Sequence, residues 1–213
     1  EFRASIVSVS VYSVVGFITY FAVQAGFIEV YGDAGKRGWG YFWAVTLLMI
    51  VVQDTYFYWM HRLLHMPALM KYSHYYHHKS INPSPWTSYS FDTIEAAGHA
   101  LFVPLYLLFV PMPGFGVFIF MGHMMVRNAI AHSGYEIYPR WWAKNPVMGW
   151  INLVTHHDMH HSNGQTNFGL WFTWWDRWMG TEHPEYLARA SGDPIARRGG
   201  AFGPKAALQI HQR

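Results

Sequence analysis

The sequence predicts an all-α fold: an integral membrane bundle of about four transmembrane helices in two hairpins, under a histidine-rich helical cap that holds a dinuclear metal centre. Three observations carry this expectation. Of the 213 residues, 52% are apolar and only 13% charged, about half the roughly 25% of an ordinary soluble domain. Long uncharged runs recur along the chain. Between and after them lie clusters of histidine, ending in THHDMHH at 155–161, with four imidazoles in six consecutive positions.

A helix that crosses hydrocarbon needs about 20 apolar residues. Residues 5–28 carry no charge and are long enough. A targeting signal is the competing reading, but no cleavage site followed by a soluble domain comes after it. The chain starts at Glu1 rather than Met, so the natural N-terminus is expected upstream. GDAGKR makes a short turn, and a second span follows over 38–60, interrupted only by Gln53 and Asp54 near its end. Residues 96–126 form an uncharged run of 31, too long for one crossing and short for two. Pro111, Pro113 and Gly114 split it into arms at 96–110 and 114–133.

Two hairpins return the chain to its starting side twice. The histidines at 61–78 and those at 132–161 then emerge on one face, as a cap built from 61–95 and 134–188. Only Lys36 and Arg37 fall in the opposite loops, while twelve of the 15 Lys and Arg lie at or beyond Arg62. The positive-inside tendency makes that face cytoplasmic, at the inner membrane of a bacterium or the endoplasmic reticulum of a eukaryote. Residues 1–188 read as one domain, and 189–213, with its RRGG, as a loose tail. Trp141, Trp142, Trp150 and the tryptophans from Trp171 to Trp178 read as an interfacial aromatic belt. The net charge of +3 and the lack of a dense basic run argue against nucleic acid as a partner, and the absence of cysteine excludes thiolate chemistry.

Four pieces hold ten of the 14 histidines. HRLLH carries His61 and His65, and HYYHH carries His74, His77 and His78. NAIAH sets Asn128 four residues before His132, and HHDMHH carries His156, His157, His160 and His161. Residues three and four apart share a helix face, so each piece presents its imidazoles in one direction. Helices of a bundle can converge such faces on a shared centre. Ten nitrogen donors exceed the four of a structural zinc site, so two metals are the natural count. Imidazole suits iron, zinc, copper and nickel alike. His99 and His123 read as hydrogen-bonded helix residues, His183 and His211 as ordinary ones.

The order HxxxH, HxxHH, HxxHH, with DTYFYWMHRLLH, PWTSYSFDTIE, AHSGYE and a closing WDRWMGT, resembles the fatty acid hydroxylase and sterol desaturase superfamily over about residues 54–181. The resemblance implies a membrane-bound non-haem di-iron enzyme that uses O2 to hydroxylate or desaturate a lipid. It implies two iron ions, which zinc can replace in a structure, and electrons from an external carrier, cytochrome b5-like or ferredoxin-like. It carries ligand roles to His61, His65, His74, His77, His78, His132, His157, His160 and His161. Some members have a histidine where this chain has Asn128, so His156, or a water held by Asn128, is expected as the tenth ligand. Asp92 stands where several sterol-type members carry histidine.

Around these ligands, Asp54, Tyr58, His61 and His65 lie at offsets 0, 4, 7 and 11, one helix stripe. Asp54 is thereby expected to hold His61 by its free nitrogen. Asp158, Asp176 and Glu95 are further outer candidates. Two rival readings remain, a membrane metal-binding or transport protein and a zinc-dependent membrane hydrolase. A transporter would set its ligands near mid-bilayer; a hydrolase would use fewer histidines and a general base.

Overall fold

A computed structural model describes residues 1–81 and 83–194. The described chain is mostly helical. Helix α1, Phe2–Gln24, leads through a short loop to the two-residue strand β1, Val30–Tyr31. Gly38, at a φ of 83° that favours glycine, opens the long helix α2, Trp39–Leu64. The short α3, Pro67–Ser73, begins the cap, and α4, Thr93–Phe109, returns through the bundle. Strand β2, Met112–Pro113, turns the chain into α5, Gly114–Ala131. The cap resumes with α6, Val154–Asn163, α7, Trp174–Trp178, and α8, Tyr186–Ser191.

Three helices, α1, α2 and α5, are long and apolar enough to cross a membrane. The third expected span, the arm at 96–110, forms as α4, a shorter apolar helix of 17 residues with Pro104 inside it. At about 1.5 Å per residue α4 covers roughly 25 Å, a little less than a hydrocarbon core of about 30 Å. Helix α2 has 26 residues, or about 39 Å. It outruns the hydrocarbon, and the excess carries His61 out in its last turn.

The helices pack as a chain of neighbours, α1 on α4, α4 on α2 and α2 on α5. Val45, Met49, Phe102, Tyr106, Leu107 and Phe120 form their buried core. Outward residues such as Phe17, Phe21, Leu47, Phe109 and Phe118 remain exposed, as side chains bathed by lipid must be. Gly116 permits a close approach of α5 to α2, because a Cβ there would meet Thr46 Oγ1 at 2.8 Å and Met112 Cε at 2.9 Å.

Both hairpin turns lie at one end. Strands β1 and β2 pair in parallel, Val30 with Met112 and Tyr31 with Pro113, and the Tyr41 hydroxyl donates to the Pro111 carbonyl at 2.7 Å. Lys36 and Arg37 sit at this end on Glu29. The histidines gather at the other end, where a second small core of Ala143, Leu153, Met159, Tyr186 and Ala190 consolidates the cap. The tail expected from 189 is helical as far as Ser191. Residues 195–213, including RRGG and His211, lie outside the described residues.

Candidate metal centre

The histidines arrive from four directions. His61 rides the last turn of α2, and His65 caps it. His74 caps α3, and His77 and His78 follow in a tight 3₁₀ turn. His132 caps α5, and α6 supplies the rest. HYYHH is therefore not the helical face its spacing suggests. The chain bends between His74 and Lys79, so that His74 and His78 turn to one side and His77 to the other.

Nine rings form two adjoining groups, His61, His65, His74, His78 and His160 in one, His77, His132, His157 and His161 in the other. Within each group the inward nitrogens lie within 4.8 Å of one another. In the first, Nε2 of His61 stands 2.9 Å from that of His74 and 3.2 Å from that of His65. His160 Nε2 is 3.1 Å from both His65 and His78. In the second, His132 Nε2 is 2.9 Å from His157 and 3.4 Å from His77, and His157 is 3.2 Å from His161.

These contacts pair like with like. Five rings direct Nδ1 at a backbone carbonyl: His61 at Phe168 (2.7 Å), His77 at Ser90 (3.3 Å), His132 at Asn128 (2.9 Å), His160 at Thr166 (2.7 Å) and His161 at Ser80 (3.1 Å). A carbonyl only accepts, so Nδ1 carries the proton and Nε2 of the neutral ring is a bare lone pair. Two lone pairs at 3 Å cannot bond each other. Protonation is no remedy, because burial, and then the neighbouring imidazoles, hold His74, His77, His78, His157 and His161 well below the usual histidine range. Burial likewise pushes His160 down to about 4. A cation between the nitrogens resolves the conflict. With metal–nitrogen bonds of about 2.1 Å, ligand–ligand edges are about 3.0 Å in an octahedron and about 3.4 Å in a tetrahedron. The neighbouring separations, 2.9–3.4 Å, are close to these edges, so the donor set fits two metal ions.

Residues 46–181, the greater part of the chain, match the family model for fatty acid hydroxylases. The chain belongs to the fatty acid hydroxylase family. Curated relatives agree with that membership. A Delta(7)-sterol 5(6)-desaturase of Gibberella zeae is 26% identical over 85% of this chain and 54% of its own length. One from Leptosphaeria maculans is 30% identical over 76% and 44%. Methylsterol monooxygenase 1 of Rattus norvegicus is 32% identical over 68% and 48%. All lie within the fatty acid hydroxylase and sterol desaturase superfamily. The chain spans about half the length of these relatives. No solved structure matches it.

In this hydroxylase-family chain His156 stands apart from both groups. Helical residues advance by about 100°, so His157 and His161 point within about 40° of each other, His160 is offset toward the first group, and His156 lies a further 40° around. Its buried ring meets Asp176 Oδ2 at 3.5 Å and the edge of Tyr186 instead. Asn128 is engaged with the backbone and with His132. Its side-chain amide donates to the Ser88 carbonyl at 2.6 Å, and its own carbonyl receives His132 Nδ1.

The expected bond from Asp54 to His61 is absent. Seven residues of helix separate them by about 10 Å, beyond the reach of a carboxylate. Asp54 instead accepts the backbone N–H groups of Trp171 (3.0 Å) and Phe172 (3.3 Å) and the indole N–H of Trp174 (2.6 Å). The Tyr58 hydroxyl meets Thr181. Trp171 is fully buried, with its indole N–H on Gln53, and so is not part of an interfacial belt. Trp141, Trp150 and Trp178 are exposed.

Asp176 acts at one remove from the two histidine groups. It accepts the N–H groups of Phe168 (2.9 Å) and Gly169 (2.7 Å) and the Thr181 hydroxyl, which fixes the loop whose Phe168 carbonyl holds His61. Asp158 is half-buried outside both groups, where burial raises its carboxyl against the pull of Arg189. Glu95 is not at the surface; it is 2% exposed and reaches His74 Nδ1 at 2.8 Å. His99 and His123 join neither group; His99 stacks on Phe57, and His123 meets the Trp171 ring edge-on. The carbonyls that support the rings had no sequence signal, since any residue supplies one.

Proposed function

We propose that this chain is an O2-dependent di-iron oxidoreductase that hydroxylates or desaturates an unactivated C–H bond of a membrane lipid. The two adjoining sets of inward Nε2 lone pairs carry the proposal. His61, His65, His74, His78 and His160 would hold one iron, and His77, His132, His157 and His161 the other, with zinc a ready substitute. Bound there, the irons would supply O2 activation and the one-electron steps of C–H oxidation, drawing electrons from a cytochrome b5-like or ferredoxin-like carrier.

The chain's own residues present and protect that centre. Carbonyls of Phe168, Thr166, Ser90, Asn128 and Ser80 hold five Nδ1 protons in place, so those rings stay neutral and offer Nε2 without rearrangement. Eight of the nine rings are buried, and His65 is nearly so, which keeps bulk water away. The site sits where α2 and α5 end, so a lipid can approach from the bilayer side. The distribution of basic residues supports a cytoplasmic orientation of that face. The curated relatives are named for sterols, which makes a sterol the first substrate class to test.

The rival readings fit less well. A transporter's ligands should line the spans, whereas His61, His65 and His132 are at helix ends. A zinc hydrolase needs a free general base, and Glu95 is engaged with His74 while Asp158 lies outside both groups. Metal analysis of anaerobically purified protein should give about two irons per chain, with O2 uptake that depends on reductant. One tightly held zinc with lipid hydrolysis would overturn the proposal. Lipidomics of a host expressing active and His160→Ala forms would then identify the substrate.

A further inference from the structure

The rings of the two groups are supported from behind by groups of different charge. Neutral carbonyls back His61 and His160 in the five-histidine group, and His77, His132 and His161 in the four-histidine group. His74 is the exception. Its Nδ1 lies 2.8 Å from Glu95 Oε1, an ion-pair distance without the alignment of a hydrogen bond, and both side chains are buried, 1% and 2% exposed. Among the described residues no other carboxylate forms an ion-pair contact with a ring of either group. Asp176 makes such a contact only with His156, its charge acting on His160 at longer range, and the second imidazole near Glu95, His99 at 3.7 Å, belongs to neither group.

Glu95 sits in the first turn of α4, the one acidic residue in a helix that is otherwise apolar or neutral. Its Oε2 has no hydrogen-bond partner among the described residues. No lysine or arginine is paired with it there; the groups that face it are His74, His99, Asp92 and Tyr12. A buried carboxylate without a cation is costly to keep, and those neighbours do not compensate it. A divalent ion behind His74 would. Carboxylates placed on the outer nitrogen of a ligating histidine fix its orientation and raise its basicity, and their loss typically weakens metal binding about 10–100-fold.

We infer that Glu95 is a positioning residue that makes the two metal positions unequal: relayed through His74, its charge makes the five-histidine pocket the tighter and first filled. The inference rests on the reading that each histidine group holds one ion. Nine neutral imidazoles contribute no net charge, so Glu95 biases one ion over the other.

The test is an anaerobic titration of metal-free protein in detergent with Zn(II) alone, competed against a chromophoric chelator. Wild type should bind in two resolved steps. Glu95→Gln, which keeps the shape and removes the charge, should weaken the tighter step about 10–100-fold and leave the weaker one in place. Glu95→Asp should recover part of the loss. His160→Ala should abolish the tighter step, while His157→Ala should retain it. Two equal steps in wild type, or steps in Glu95→Gln that are unchanged or weakened alike, would overturn the inference but leave the metal reading standing. No binding by wild type would remove both. If Glu95→Gln does not fold by circular dichroism, the histidine pair decides: loss of the tighter step in His157→Ala rather than His160→Ala overturns the inference.

Discussion

His156 offers a measurable consequence of the way α6 distributes its histidines. Its ring is fully buried against Asp176 and Tyr186. Burial, helped by the Arg177 charge, pushes it down to about 3 from an ordinary 6.5. With the folded-state value depressed, the unfolded chain takes up the proton first. The stabilisation is complete above about pH 6.5 and is lost as pH falls toward about 3. At pH 5 the deficit is about 1.5 pH units, or ~2 kcal/mol. Burial also raises the Asp176 carboxyl, which acts with the opposite sign, so a paired comparison is required. His156→Leu removes the titrating ring at similar volume and breaks no straight hydrogen bond among the described residues. Urea unfolding of the metal-free protein in micelles, followed by tryptophan fluorescence at about pH 7.5 and about pH 5, should cost wild type ~2 kcal/mol more than the variant. Equal losses would refute the burial argument.

Asp54→Ala should strand the N–H groups of Trp171, Phe172 and Trp174 and cost about 3 kcal/mol or more; an unchanged melting temperature in micelles would show that the 171–174 segment does not depend on it. Gly169→Ala would set a Cβ 2.7 Å from the Phe172 carbonyl and 2.9 Å from Asp176 Oδ2. The displaced Phe168 carbonyl should then release His61, so iron per chain should fall, and full iron content would refute that route. His77→Ala or His160→Ala should abolish lipid oxidation measured by mass spectrometry, whereas His211→Ala should not. Normal turnover by the His160 variant would remove it from the proposed ligands.

Much of the site can be read at the level of residue inventory. The spacing in HRLLH and HHDMHH brings their rings to one end of the bundle, because both segments are helical and span little more than a turn. HYYHH misleads, since its spacing looks helical while its backbone bends. Asp54 misleads for another reason: sharing a stripe with His61 says nothing about a distance of two turns, and its true partners, at 171–174, are far away in sequence. Glu95 had no distinguishing local pattern. Only the packing of α3 on α4 puts it behind His74.

By itself the sequence determined the membrane character, the helical runs and their turns, and the stock of imidazoles with the family they mark. Those properties depend on composition and on periodicity across one or two helical turns, which neighbouring residues decide among themselves. Tertiary structure alone decided which ring joins which group, that His156 faces away, and which carbonyls and which carboxylate stand behind the rings. Such choices turn on contacts between segments as much as 107 residues apart, and on backbone atoms that every residue possesses.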